Sequence, residues 1–376
     1  MELFNVYDRF DVAISAGNGV ELYDQSKKTY LDLYGGHGVI SIGHSHPYFI
    51  QKMEEQLHQL IFYSNSIEIP IQQQLAKKLG EVCDYPDYQL FLCNSGAEAN
   101  ENALKLASHF TQKKTILSFK GSFHGRTLGA VQITDKIKYR SPINEGNFEV
   151  IFVELNNENQ VLEAFSNHEI SAVIVEGIQG VGGLDFPSDV FLKFLREICT
   201  KENSCLILDE IQSGYGRTGD FFAHQSSGIK ADLITIAKGM GNGFPIAGVL
   251  INPEIKPLKG LLGTTFGGNQ FACTAALAVL EILEKEELQM NVQKMNQFIV
   301  PLLEKIPGVV KIKGKGLMLG IEFEYPISNL RKQLLVEKHL FTGDSANPNL
   351  LRILPPLSIN EKQLVQLPNA LNELLS

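Results

Sequence analysis

Tryptophan is absent from the 376 residues, and cysteine is sparse and odd in number, at five. No two of Cys83, Cys93, Cys199, Cys205 and Cys273 stand in a CxxC pair. That excludes a disulfide scaffold and a zinc knuckle, and it points to a reducing compartment. No apolar run approaches the ~20 residues that span a bilayer. The first residues carry Glu2, Asp8 and Asp11 and lack the basic-then-apolar order of a secretory signal. A cytoplasmic protein without membrane partners is expected. Basic excess is missing too: 33 Lys and Arg against 42 Asp and Glu leave a net charge of -9, which argues against nucleic acid as a partner. His44 and His46 have no acid beside them, an incomplete ligand set, so no metal is expected. There is no GxxxxGK[ST] phosphate loop, and the glycines at 239, 241 and 243 lack the third glycine of GxGxxG. A P-loop nucleotide enzyme and a nicotinamide-binding enzyme are therefore disfavoured.

What is present is an alternation of short apolar runs and helical patterns. Tyr88–Cys93, Lys114–Phe119, Glu149–Val153, Ser171–Val175, Cys205–Leu208 and Leu233–Ala237 read as strands. Helical segments separate them, which implies parallel βαβ units and an α/β protein. Val20–Tyr23 and Thr29–Leu33 flank a polar turn and read as a hairpin. Pro47 opens a helix to about Gln59. After Asn269 the character changes: Phe271–Leu283 is apolar almost all round, as a buried helix is. Strands at 309–312, 317–323 and 350–353 and helices at 329–338 and 361–375 follow. The expected organisation is a large domain over 46–270 with a mostly parallel sheet, and a smaller α+β domain made of 1–45 and 271–376.

Two polar residues stand where buried strands should emerge. Asp209 follows an apolar run, and an uncompensated carboxylate there is costly. A pyridinium nitrogen would compensate it; so would an arginine such as Arg217. Lys238 ends the next run, and a buried amine loses its charge readily and then attacks carbonyls. The bland alternative is a lysine snorkelling from a strand end. The carboxyl edge of an open α/β sheet is where ligands bind. Ser95, Gly96 and Ala97 form a strand-to-helix turn whose free N–H groups suit a phosphate. Phe123 could stack on a ring, His124 could support it, and Arg126 and Arg352 could grip carboxylates.

The segments NSGAEANENALKLA, SFHGRTLGA, LILDEIQSGYGRTGDFFA, ITIAKGMGNGFPIAG, TTFGGNQFAC, KGKGLMLGIEF and LLRILPPL run from Asn94 to Leu357. Together they resemble the class III pyridoxal-phosphate aminotransferases of fold type I, the acetylornithine and succinylornithine enzymes above all. The resemblance implies pyridoxal 5'-phosphate as cofactor, with Lys238 as the lysine that bonds its aldehyde. It implies Asp209 at the pyridine nitrogen, Gln212 at the ring hydroxyl and Phe123 against the ring. Ser95, Gly96 and Ala97 would meet the phosphate, joined by Thr265 of a second subunit in a homodimer. His124 and Glu176 would complete the cofactor pocket, and Arg126 and Arg352 would bind substrate carboxylates. The reaction implied is transfer of the terminal amino group of an N-acylornithine to 2-oxoglutarate, in arginine biosynthesis. The alternatives are another ω-amino acid donor, such as ornithine or 4-aminobutyrate, a semialdehyde aminomutase, and, from a different class, a non-catalytic cofactor-binding protein on this fold, against which the intact Lys238, Asp209 and Gln212 speak.

Two departures matter. Val181 occupies the position where similar enzymes carry a glutamate that masks the arginine matching Arg352, so an unmasked Arg352, or one gated by another group, is expected. Ser66-Ile67 replaces a Leu-Tyr pair, which removes a pocket-lining tyrosine and leaves the acyl-group preference open.

Overall fold

A computed structural model describes every residue except Glu145, Asn147 and Ser376. Three sheets organise it. Near the N-terminus, β1 (Ile14–Asn18), β2 (Glu21–Asp24) and β3 (Thr29–Asp32) form an antiparallel meander. The central sheet holds β4 (Gln89–Cys93), β5 (Thr115–Phe119), β6 (Val150–Val153), β7 (Ile170–Glu176), β8 (Cys205–Asp209), β9 (Leu233–Ile236) and β10 (Ala247–Ile251), in the order β4-β10-β9-β8-β7-β5-β6. The C-terminal part contributes β11 (Val309–Lys315), β12 (Met318–Phe323), β13 (Leu340–Phe341) and β14 (Leu350–Ile353). β11, β12 and β14 make an antiparallel sheet, while β13 pairs in parallel with β3.

The central sheet is parallel from β6 to β9, and β10 alone runs against its neighbours β9 and β4. Every residue of β7 and of β8 is buried. Strands covered on both faces read as near-continuous apolar runs, which is why Ala172–Val175 and Cys205–Leu208 stand out in the sequence. The register sets Glu176 beside Asp209 and Asp209 beside Thr235, so β7, β8 and β9 deliver their carboxyl ends to one edge.

The helices begin where the caps predict. Ser95 Oγ accepts from the Glu98 amide at the start of helix Gly96–Thr111, and Asn269 Oδ1 accepts from Ala272 at the start of Gln270–Lys285. The latter helix packs on helices Pro47–Leu57 and Pro70–Val82. Several elements have no counterpart in the sequence reading, β10 and helix Leu288–Leu303 among them. β10 is a five-residue AGVLI run after a glycine- and proline-rich stretch, and its direction follows from tertiary pairing. Helix Leu288–Leu303 contains Pro301, although its buried residues 288, 292, 295, 299 and 303 keep helical spacing. The last helical stretch is broken at Val365 into Glu361–Leu364 and Gln366–Leu375. No helix among the described residues is long and apolar enough to cross a membrane.

Candidate active site

The carboxyl edge of the sheet encloses a cavity of about 340 Å³. Asp209, Lys238, Glu176, Phe123, His124, Gln212, Ser95, Gly96, Ala97 and Val181 all line it.

Asp209 is the last residue of β8 and only 4% exposed. Its Oδ2 accepts from His124 Nδ1 at 2.7 Å and from Asn100 Nδ2 at 2.8 Å. Its Oδ1 accepts from the Ile211 amide at 3.1 Å. The carboxylate is thus clasped by three donors, and no arginine pairs with it. Arg217, the alternative partner, donates instead to the carbonyls of Leu317 and Pro355. Asn100 went unrecognised in the sequence. It shares a helix face with Ala103, Leu104 and Ala107, and a polar residue on that apolar stripe was the available signal. Asn100 also donates to the His124 carbonyl at 2.8 Å, so one amide positions both members of the acid–imidazole pair.

Lys238 follows β9 in a single 3-10 turn, with a left-handed φ of 39°. Such a backbone is strained for a lysine and persists when its surroundings impose it. The Nζ amine has no hydrogen bond or ion pair among the described residues. Burial holds its pKa below the ordinary lysine value; Asp209 and Glu176 oppose that shift, and Arg352 adds to it. An amine so placed sheds its proton readily and becomes a nucleophile.

Glu176 ends β7, with Oε1 accepting from the Phe123 amide at 2.9 Å and Oε2 from the Gly180 amide at 3.1 Å. Burial pushes its pKa up to about 7; His124 opposes the shift and the Asp209 charge reinforces it. The two bonds fix the backbone on which Phe123 presents its ring. Gln212 donates through Nε2 to the His37 carbonyl at 2.8 Å and accepts at Oε1 from Arg352 Nη1 at 3.4 Å. Gly180 leaves room for that amide: a Cβ there would lie 1.7 Å from Gln212 Oε1.

Three residues singled out in the sequence do not line the cavity. Arg352 is buried just behind it, touching Gln212 and the Gly180 carbonyl. Arg126 is exposed, its guanidinium 4.5 Å over the Tyr139 ring, and Tyr139 meets Phe123 edge-on. Thr265 is exposed in the 261–269 loop.

These features fit pyridoxal phosphate. The Asp209 Oδ1, which accepts one amide only, suits a pyridinium N–H. The partnerless Lys238 amine suits the aldehyde. The first turn of a 16-residue helix opens on the same cavity, and its free amides suit the phosphate.

Comparisons with known proteins agree. Residues 5–375 match the family described as "Aminotransferase class-III". The acetylornithine aminotransferase of Archaeoglobus fulgidus is 40% identical over 365 residues, covering 96% of this chain and 95% of that one. Among solved structures, the N-acetylornithine aminotransferase of Stenotrophomonas maltophilia K279a superposes with a TM-score of 0.82 at 30% identity, over 98% of this chain and 96% of that one. The ornithine aminotransferase of Toxoplasma gondii ME49 does so with a TM-score of 0.90 at 26% identity, over 97% of this chain and 90% of that one. The chain belongs to the class III aminotransferases and works with pyridoxal phosphate on the fold type I scaffold.

Proposed function

We propose that this enzyme moves the terminal amino group of an N-acylornithine to 2-oxoglutarate, giving an N-acylglutamate semialdehyde and glutamate. The bound cofactor supplies an electron sink for the carbanion and a carbonyl that carries the amino group between substrates. Lys238 would hold the cofactor's carbonyl carbon, and its amine, whose charge burial disfavours, would be the group that moves the proton at the substrate carbon. Asp209, its direction fixed by His124 and Asn100, would hold the ring nitrogen in its protonated form. Gln212 would meet the ring hydroxyl, Phe123 the ring face, and Ser95, Gly96 and Ala97 the phosphate, all of them lining the one cavity. Glu176 shapes the pocket through the Phe123 and Gly180 amides.

The observation that carries the substrate reading is Arg352. Its guanidinium is 3% exposed and bonds only neutral acceptors, with no carboxylate partner among the described residues. A buried cation without an anion is costly. A dicarboxylate acceptor supplies that anion, while Arg126 serves the carboxylate of the amino donor. The similarity to acetylornithine aminotransferases supports the N-acyl donor and a place in arginine biosynthesis.

A homodimer with shared sites belongs to the same reading. Leu57, Leu60, Ile61, Phe62, Tyr63 and Ile67 are exposed, and the Phe62 ring meets that of Phe266, itself 61% exposed, at 5.5 Å. This apolar surface adjoins Thr265 and supports burial against a second copy, whose cofactor phosphate Thr265 would reach. The β3–β13 pairing supports assigning 1–45 to the same smaller domain as 271–376. Five buried free cysteines support a reducing, cytoplasmic setting.

The test is a donor panel with 2-oxoglutarate: N-acetylornithine, N-succinylornithine, ornithine and 4-aminobutyrate, ranked by kcat/KM. An N-acylornithine should rank first. Preference for ornithine or 4-aminobutyrate would overturn the reading, and conversion of a semialdehyde without any oxoacid would indicate an aminomutase.

A further inference from the structure

The loop after β3 holds residues to which no role has been given. Asp32 Oδ1 accepts from the Tyr34 amide at 3.0 Å and the Gly35 amide at 2.8 Å. The chain then makes four left-handed residues, Gly35, Gly36, His37 and Gly38, with φ of 55°, 55°, 67° and 75°. Three are glycines; His37 is held there under strain. The turn sets the His37 carbonyl on Gln212 and its Nδ1 2.6 Å from the Tyr34 hydroxyl. That hydroxyl also accepts from Arg352 Nη2 at 2.8 Å.

The Tyr34 ring and the guanidinium are built as a unit. Arg352 Cζ is 5.4 Å from the ring centroid. The ring packs so closely on Gly343 that a Cβ there would lie 2.1 Å from its Cε2. Gly343 and Arg352 exchange two backbone hydrogen bonds of 2.7 and 2.9 Å. The remaining Arg352 acceptors are the Gly180 carbonyl and Gln212 Oε1, and its buried Nε has none. A guanidinium grips a carboxylate through two parallel N–H groups, and a hydroxyl beside it supplies a further donor.

We propose that Tyr34, aimed by His37, is a specificity-determining residue for the carboxylate that docks on Arg352. Without substrate, the hydroxyl is a neutral cap on Nη2. When a carboxylate arrives, the O–H turns from His37 Nδ1 to donate to it, while its oxygen still accepts from Nη2. The neutral hydroxyl reorients without breaking an internal ion pair, so no carboxylate of the protein competes for the guanidinium when the dicarboxylate acceptor arrives. It offers nothing to a donor whose carboxylate sits at Arg126. The inference rests on the reading that Arg352 holds the acceptor's carboxylate, and the experiment separates the two.

Tyr34→Phe keeps the ring and removes the hydroxyl. In the holoenzyme, each half-reaction is followed by single-turnover absorbance, with 2-oxoglutarate on one side and N-acetylornithine on the other. Tyr34→Phe should weaken 2-oxoglutarate binding about tenfold while leaving its limiting rate and the N-acetylornithine half-reaction within about twofold. His37→Asn should give the same split at smaller size. Arg352→Lys, run in parallel, reports the seat itself. If Arg352→Lys weakens 2-oxoglutarate binding but Tyr34→Phe changes neither half-reaction, or both equally, the role of Tyr34 is wrong. If Arg352→Lys leaves 2-oxoglutarate binding intact, the seat is misassigned and the proposal falls with it.

Discussion

Replacing Asp209 by asparagine separates charge from shape at the cofactor's nitrogen. An amide oxygen in the place of Oδ2 can still accept from His124 at 2.7 Å and Asn100 at 2.8 Å. The amide nitrogen then faces the Ile211 N–H, which donates to Oδ1 at 3.1 Å, so one hydrogen bond is lost and two donors meet. The expected cost to stability is about 1–3 kcal/mol, well within what a large domain tolerates. The loss of charge matters more. Unit charges about 3 Å apart at an effective dielectric near 20 attract by roughly 5 kcal/mol, equivalent to about four pKa units on the ring nitrogen. The ring would then be neutral at physiological pH and a weak electron sink. Transamination of N-acetylornithine with 2-oxoglutarate should fall at least about a thousandfold, with the protein still folded by thermal denaturation. Activity within about tenfold of the unmodified enzyme would refute the claim that the Asp209 charge drives the reaction.

Two further outcomes follow from neighbouring groups. Val181→Glu places an internal carboxylate next to Gly180, whose carbonyl accepts from Arg352; KM for 2-oxoglutarate should rise about tenfold or more, with the donor half-reaction little changed, and equal discrimination between donor and glutamate would refute an unmasked Arg352. Glu176 titrates near 7 in the fold, against an ordinary value of 4.5. Between those pH values the unfolded chain ionises and the folded one resists, so cofactor-free protein should lose stability as pH rises through that window. Glu176→Gln cannot ionise, so its Tm advantage should widen from pH 4.5 to 7; a constant difference would contradict the burial argument.

The anchors of the candidate site were legible because buried strands leave a plain trace. β8 is apolar up to Asp209 and β9 is apolar but for Thr235, and the polar residues that end or follow them, Asp209 and Lys238, can be read without any contact map. Asn100 was less visible, being one amide on an otherwise apolar helix face. Tyr34 and His37 were hidden for a different reason. Their geometry comes from a left-handed turn and a close approach to Gly343, and local sequence describes such a segment only as glycine-rich. Arg217 illustrates the limit for ion pairs: its partners are two carbonyls 100 and 138 residues along the chain, at Leu317 and Pro355. The antiparallel β10 departs from the strand–helix alternation that implied parallel strands, because only the 3-10 turn Lys238–Met240, and no α-helix, separates it from β9.

The most direct test of the account is the attachment of the cofactor. The purified holoenzyme is reduced with borohydride, digested, and its peptides mapped by mass spectrometry. The pyridoxyl group should be found on Lys238, and Lys238→Ala should bind cofactor without covalent capture and lose transamination. A pyridoxyl group on any other lysine, or an active Lys238→Ala enzyme, would contradict it.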